Sequence, residues 1–273
     1  MTKKAAEPGY DPIAMGRAIE RVVVDGNKRK YAQLAKRLRF YGGVSSAVEV
    51  GCSLMACVFC FSDQPVRKPK KTGKFYTPQQ VFDALNSSAK KHGHKLISAS
   101  ASEATLGREH LFELLTLVDQ SPYIFILETN GMHVGHDPEF AQQLARFRNL
   151  HVRVSIKGTN PDEYHTLTGA RASSYELPFQ ALRNLIHAGV SVNACVMVSF
   201  SSDEGIQEVQ KRLAGIHPGI LKSVELETIT LFPKVAARLK KAGLTPTRIR
   251  HRGKIINLDT TSDSPAPQEH RNQ

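Results

Sequence analysis

The chain has 273 residues, 41% of them hydrophobic, and its 37 Lys and Arg against 25 Asp and Glu give a formal net charge of +12. That length suits one large domain or two small ones, with an ordinary soluble core. No run of about 18 apolar residues occurs, so no membrane span and no membrane partner are expected, and residues 1–8 lack the apolar stretch of a secretory signal.

Along the chain, residues 1–40 read as a basic extension. Its part from Ile13 to Arg39 is partly helical and placed to cap the open edge of the central region. Residues 41–244 carry the regular pattern. Residues 245–273 form a basic segment that ends in a disordered tail around Asp259 to Pro267. Within the central part, six short apolar segments read as strands, at 45–50, 95–100, 123–128, 151–156, 192–198 and 223–229. Segments of helical length and period lie between them. Thr77-Pro78, Asp137-Pro138 and Asn160-Pro161 each offer an N-cap residue followed by proline. Gly93, Gly189 and Gly243 stand where helices should stop. Strand–helix repeated six times implies a parallel α/β sheet, two units short of a full eightfold barrel. The pattern alone leaves a doubly wound sheet open.

Three of the four cysteines, Cys52, Cys57 and Cys60, lie within nine residues after the first strand. Such thiols pair, hold a soft metal or bind an iron–sulfur cluster. A disulfide would strand the third. A zinc site would need a histidine or the remote Cys195 as fourth ligand. Three thiolates on one loop suit a four-iron cluster with one iron open to a ligand. The loop follows a strand at its carboxyl end, where barrel enzymes place their chemistry, and this favours the barrel. Clustered thiols without an export signal point to a reducing, cytoplasmic setting.

The second strand runs into Ala101-Ser102-Glu103, where Glu103 is a site carboxylate, a solvated one, or the cap of the next helix. The third ends in Thr129-Asn130-Gly131, a polar amide at a turn. In the fourth, alternation puts Arg153, Ser155 and Lys157 on one face. A polar face is unusual in a helix-covered parallel sheet, and a polar ligand would account for it. Cys195 reads as a small buried residue. Glu225 and Glu227 share a face in the sixth strand, as substrate-binding or acid–base candidates with salt bridges as the plain alternative.

The cysteine run, with Phe59 just before its last cysteine, resembles the cluster loop of the radical S-adenosylmethionine (radical SAM) enzymes. The family spacing is C-x3-C-x2-C; here four residues fill the first gap. The resemblance extends over about 41–231. The runs at 40–43, 73–76 and 155–158 resemble a group within the family found in archaea and bacteria. It implies a partial (β/α)6 barrel and a [4Fe-4S] cluster on Cys52, Cys57 and Cys60, with S-adenosylmethionine (SAM) on the open iron. It also implies reductive cleavage of SAM to a 5′-deoxyadenosyl radical that takes hydrogen from a substrate. Ala101-Ser102-Glu103 stands where the family has Gly-Gly-Glu. Glu103, Asn130, Ser155 and Lys157 become SAM contacts, with Phe59 packed beside the cofactor. No second cluster and no cobalamin domain are expected. The basic charge suggests an anionic small-molecule or nucleic-acid substrate and an acidic electron donor of flavodoxin or ferredoxin type. The departures from the family pattern keep a second reading in view, a non-catalytic nucleic-acid-binding or structural relative with a degenerate cluster site. A glycyl-radical activating enzyme, which would need a protein partner, is a third.

Overall fold

The computed structural model describes residues 8–38 and 43–258. Phe40, Tyr41 and Gly42 of the 40–43 run, Arg39 of the basic extension and the tail from Asp259 lie outside the described residues. The first helix, α1 (Pro12–Val23), begins at Asp11, whose carboxylate accepts the Ile13 N–H at 2.8 Å. A hairpin of β1 (Val24–Asp25) and β2 (Lys28–Leu38) comes next. The basic extension is therefore half strand. β2 runs antiparallel along β3 (Val44–Glu49) and lengthens the sheet at that edge. After the short α2 (Gln64–Arg67), β4 (Lys74–Tyr76) pairs with β2.

All six expected strands form: β3, β5 (Leu96–Ser100), β6 (Ile124–Thr129), β7 (Leu150–Lys157), β8 (Val192–Met197) and β9 (Glu225–Glu227). Each is parallel to the next, and their order in the sheet is their order in the chain. A doubly wound sheet would reverse order at a switch point. Unbroken order is that of a barrel, here partial. The sixth strand is shorter than expected because the Ile229 N–H is taken by the Ser199 hydroxyl at 2.8 Å instead of by a neighbouring strand.

The proline-marked helix starts hold. In α3 (Pro78–His92), Thr77 and Gln80 cap each other's backbone N–H. Asp137 caps α6 (Pro138–Leu144) and Asn160 caps α7 (Pro161–Thr168). The remaining helices are α4 (Arg108–Asp119), α5 (Met132–His136), α8 (Leu177–His187), α9 (Asp203–Ile216) and α10 (Pro233–Ala242). Gly93 and Gly243 end α3 and α10 in left-handed geometry, and Gly189 comes just past the end of α8. A last hairpin, β10 (Arg248–His251) with β11 (Lys254–Asn257), joins the sheet through a bridge from Ile249 to Ile229.

The parallel register sorts the sheet into two faces. Ala47, Ile97, Phe125, Leu127, Val152, Val154, Ile156, Ala194 and Val196 are fully buried on one, where α3, α4, α7 and α8 pack. Each larger side chain there contributes about 1.5–3 kcal/mol by leaving water. The other face, the lumen of the partial barrel, carries Ser46, Ser98, Ser100, Glu128, Arg153, Ser155, Lys157, Asn193, Cys195, Glu225 and Glu227. No described helix is long and apolar enough to cross a membrane.

Candidate active site

Behind β3 the chain turns at Gly51 (φ 94°), where a Cβ would lie 2.7 Å from Ile19 of α1. Two tight turns come after it. The Cys57 N–H reaches Leu54 O at 3.5 Å, and the Cys60 N–H reaches Cys57 O at 3.3 Å. The first turn absorbs the additional residue of the loop: Ala56 is exposed and Met55 packs on the apolar side of α1. Cys57 is buried, Cys52 and Cys60 are half-buried, and all are free. Among the described residues, the three-member gathering of potential ligand atoms within 4.8 Å is Cys195, Glu225 and Glu227. The loop cysteines are thus not drawn with a fourth ligand around a single point, as one zinc ion would require.

The loop is gripped through its carbonyls. Arg67 donates to Cys57 O at 2.6 Å and to Met55 O at 3.4 Å. Arg238 of α10 donates to Val58 O at 3.0 Å and also to Cys60 O. Lys157 lies 5.9 Å from the centre of the Phe59 ring. Donors also point at sulfur: the Leu54 N–H at 3.3 Å and the Asn130 amide at 3.7 Å from Cys52 Sγ. Burial, then the Glu103 carboxylate, pushes the Cys52 thiol well up. Burial, then Cys60, pushes Cys57 up to about 12, against the pull of Lys157 and Arg67. Alone, these groups stay thiols; a cationic metal centre is what would hold them as thiolates. The sulfur donors and guanidinium clamps fit such a centre.

Glu103 is buried and fully engaged. It accepts from the hydroxyls of Thr105 and Thr129, both at 2.7 Å, and from the Asn130 N–H at 2.8 Å. It also caps the short turn Ala104–Leu106. Its own N–H donates to Gly51 O at 3.0 Å. The residue is therefore neither solvated nor free: it knots the loops after β3, β5 and β6. Ala101, in the first glycine place of the resemblance, holds φ 72°, a left-handed geometry natural to glycine. Asn130 sits at the knot's edge. Its amide donates to the Ser53 hydroxyl at 2.9 Å as well as to Cys52.

Ser155 and Lys157 open onto the lumen beside this loop, both half-buried; among the described residues no partner takes the Ser155 hydroxyl. Below them Arg153 binds Glu128 at 2.6 Å, Glu225 at 2.6 Å and Glu227 at 3.1 Å. The salt-bridge alternative for the two glutamates of β9 thus describes them in this structure. Cys195 is buried, in register with Ser155 and Glu225.

The structure therefore brings Cys52, Cys57, Cys60, Phe59, Asn130 and Lys157 together, with Ser155 one step deeper and Glu103 behind them as a tie. Sequence reading missed Ser53, Arg67 and Arg238. Arg67 stands in a visible basic run, but nothing local links Arg238 to a carbonyl 178 residues away.

Residues 48–213 match the family described as the radical SAM superfamily. No curated protein matches the chain. Among solved structures, a radical SAM methyltransferase from Sphaerobacter thermophilus superposes with TM-score 0.52 at 14% identity, covering 76% of this chain and 66% of its own. Streptococcus suis SuiB bound to S-adenosylmethionine gives TM-score 0.49 at 16% identity, covering 59% of this chain. The chain spans only 35% of SuiB's length. At these identities the likeness is one of fold.

Proposed function

The chain belongs to the radical SAM superfamily, whose cofactors are a [4Fe-4S] cluster and S-adenosylmethionine, and we propose that it is an enzyme that cleaves SAM reductively to take hydrogen from a substrate in the barrel lumen. The observation that carries this reading is the cysteine loop itself: three free thiols at the carboxyl end of β3, with N–H donors aimed at one sulfur and guanidinium groups on its carbonyls. When bound, the cluster and SAM supply the electron transfer and the 5′-deoxyadenosyl radical. The chain's own residues hold and orient. Cys52, Cys57 and Cys60 ligate. Asn130 and the Leu54 N–H spread the negative charge of Cys52. Lys157 pairs with the carboxylate of the methionine moiety, Ser155 with the ribose, and Phe59 keeps water from the cluster side. Glu103 acts through Asn130 by fixing it. Arg153 with Glu225 and Glu227 faces the substrate.

The net charge of +12 supports an anionic small-molecule or nucleic-acid substrate. Ala101 supports the intact-site reading, because its backbone holds the left-handed geometry natural to the glycine the family pattern has there. Anaerobic reconstitution with iron and sulfide, followed by reduction and electron paramagnetic resonance, tests the reading. A reduced four-iron signal that shifts when SAM is added is expected, and Cys52→Ala, Cys57→Ala and Cys60→Ala should each abolish it. A cluster indifferent to SAM would overturn the enzyme reading in favour of a non-catalytic relative.

A further inference from the structure

A cavity of about 280 Å³ lies between the start of α1, the end of α5 and the turn Ala172–Glu176 that leads into α8. That volume is just under the roughly 300 Å³ at which small-molecule pockets begin. Arg17, His136, Arg171 and Ser174 line it, and Asp11 is its one acid among the described residues. No residue assigned above to the cluster or to SAM lines it. Its walls are held in close contact. At Gly16 a Cβ would lie 2.4 Å from His133 Nε2, so α1 rests directly on α5 and carries Arg17 to the rim. At Gly9 (φ 100°) a Cβ would lie 2.8 Å from the carbonyl carbon of Ala170. There the chain before α1 is zipped to the turn: the Tyr10 N–H donates to Gly169 O at 3.2 Å, and the Arg171 N–H donates to Tyr10 O at 3.0 Å.

Donors outnumber acceptors in this cavity. Asp11 is spent, with one oxygen on the Ile13 N–H at 2.8 Å and the other on Arg171 at 2.7 Å. Arg171 keeps further N–H groups, and Arg17 has no hydrogen-bond or ion-pair partner among the described residues. Glu20, three residues beyond Arg17, answers to His133 and Arg29 instead. The decisive residue is Ser174. It is 4% exposed, it lines the cavity, and its hydroxyl has no partner among the described residues. Buried hydroxyls are normally paired, so an orphan one beside two guanidinium groups marks a place for a ligand oxygen. We propose that this cavity is a subsite for a phosphate group. Its donors come from three separate elements, α1, α5 and the 171–174 turn. A tetrahedral oxyanion can accept from all of them, whereas a planar carboxylate is matched by a single guanidinium fork, as Asp11 already is. The subsite gives part of the net charge of +12 a defined task, and it stands apart from the cluster reading because binding here needs neither iron nor SAM.

Titration calorimetry of the full chain with inorganic phosphate, with chloride added to constant ionic strength, tests the proposal. Saturable one-site binding is expected, with acetate at least tenfold weaker. Arg17→Gln should lower the phosphate affinity roughly tenfold or more, and Ser174→Ala roughly three- to tenfold. The thermal midpoint of Ser174→Ala in phosphate-free buffer should not fall, because the hydroxyl has no partner to lose. Lys222→Gln, which removes the same charge from an exposed position outside the cavity, should leave the affinity unchanged. A short single-stranded RNA then identifies the source of the phosphate. RNA that inorganic phosphate displaces, and that both cavity variants weaken, assigns the subsite to a polymer backbone. RNA that is neither displaced nor weakened assigns it to a small phosphate ester. Phosphate affinity equal in the parent chain, Arg17→Gln and Ser174→Ala would overturn the subsite, as would acetate binding as tightly as phosphate. Either failure would leave the resonance test of the cluster untouched.

Discussion

Ala101 holds a left-handed backbone that costs a residue with a Cβ about 1–2 kcal/mol. Ala101→Gly should therefore raise the stability by about 1 kcal/mol in urea, after allowance for the entropy glycine adds to the unfolded chain. An unchanged midpoint would mean that the strain is absorbed elsewhere. Glu103 makes the opposite case. Both its oxygens receive donors, so Glu103→Gln must turn an NH2 toward a hydroxyl or the Asn130 N–H. A loss of about 1–3 kcal/mol is expected, together with weaker retention of reconstituted iron, because Asn130 loses its anchor. The sequence disclosed the acid and its place. The capping role toward Thr105 is among its readings, but the donors Thr129 and Asn130 are not, because only the fold brings the end of β6 alongside.

At the scale of elements, β2 shows what a local reading misses. Its charged residues suggest a surface extension, yet Arg29 is wholly buried and paired with Glu49 of β3 at 3.0 Å. Pairing with β3 and β4 outweighs composition. Nearby, His110 of α4 links to the same strand. Its Nδ1 lies 2.7 Å from Asn27 O, a bond that needs the proton, so Nε2 accepts from the Tyr31 hydroxyl at 2.9 Å. Burial, then Arg29, lowers its pKa to about 4. The folded state thus holds neutral histidine, while the unfolded chain takes up a proton near pH 6.5. This contribution is complete above pH 6.5 and is lost as the pH falls toward 4, by about 3 kcal/mol. Urea midpoints between pH 7 and pH 4.5 should fall less steeply in His110→Asn than in the parent chain. Parallel curves would refute the assignment. The six strands and the marked helix caps were legible because period and capping are local properties; edge pairing is not.

Over the whole molecule, charge is divided. The chain is strongly basic, but the lumen gathers three carboxylates on Arg153. Burial is the first cause that holds Glu128 above its ordinary value, with Glu227 adding to it and Arg153 opposing. Arg153→Met removes the shared counter-ion and should cost about 2 kcal/mol at pH 7, since the glutamates are still partly open to water. The deficit should shrink as the pH falls and Glu128, held above its ordinary value, binds a proton. A pH-independent deficit would show that packing, not charge, is what the arginine supplies. Strand alternation made the polar face legible, but which of its charges neutralise one another depends on the register of β6, β7 and β9.

The grip of Arg238 on Cys60 O has a bearing on biogenesis. The loop is synthesised early and its clamp late, separated by the whole barrel. While the chain is being made, Arg67 can reach the loop carbonyls early, but the grip on Val58 O and Cys60 O has to wait for Arg238. The loop therefore reaches its final shape only when α10 has been made and packed, which ties the cysteine site to completion of the fold.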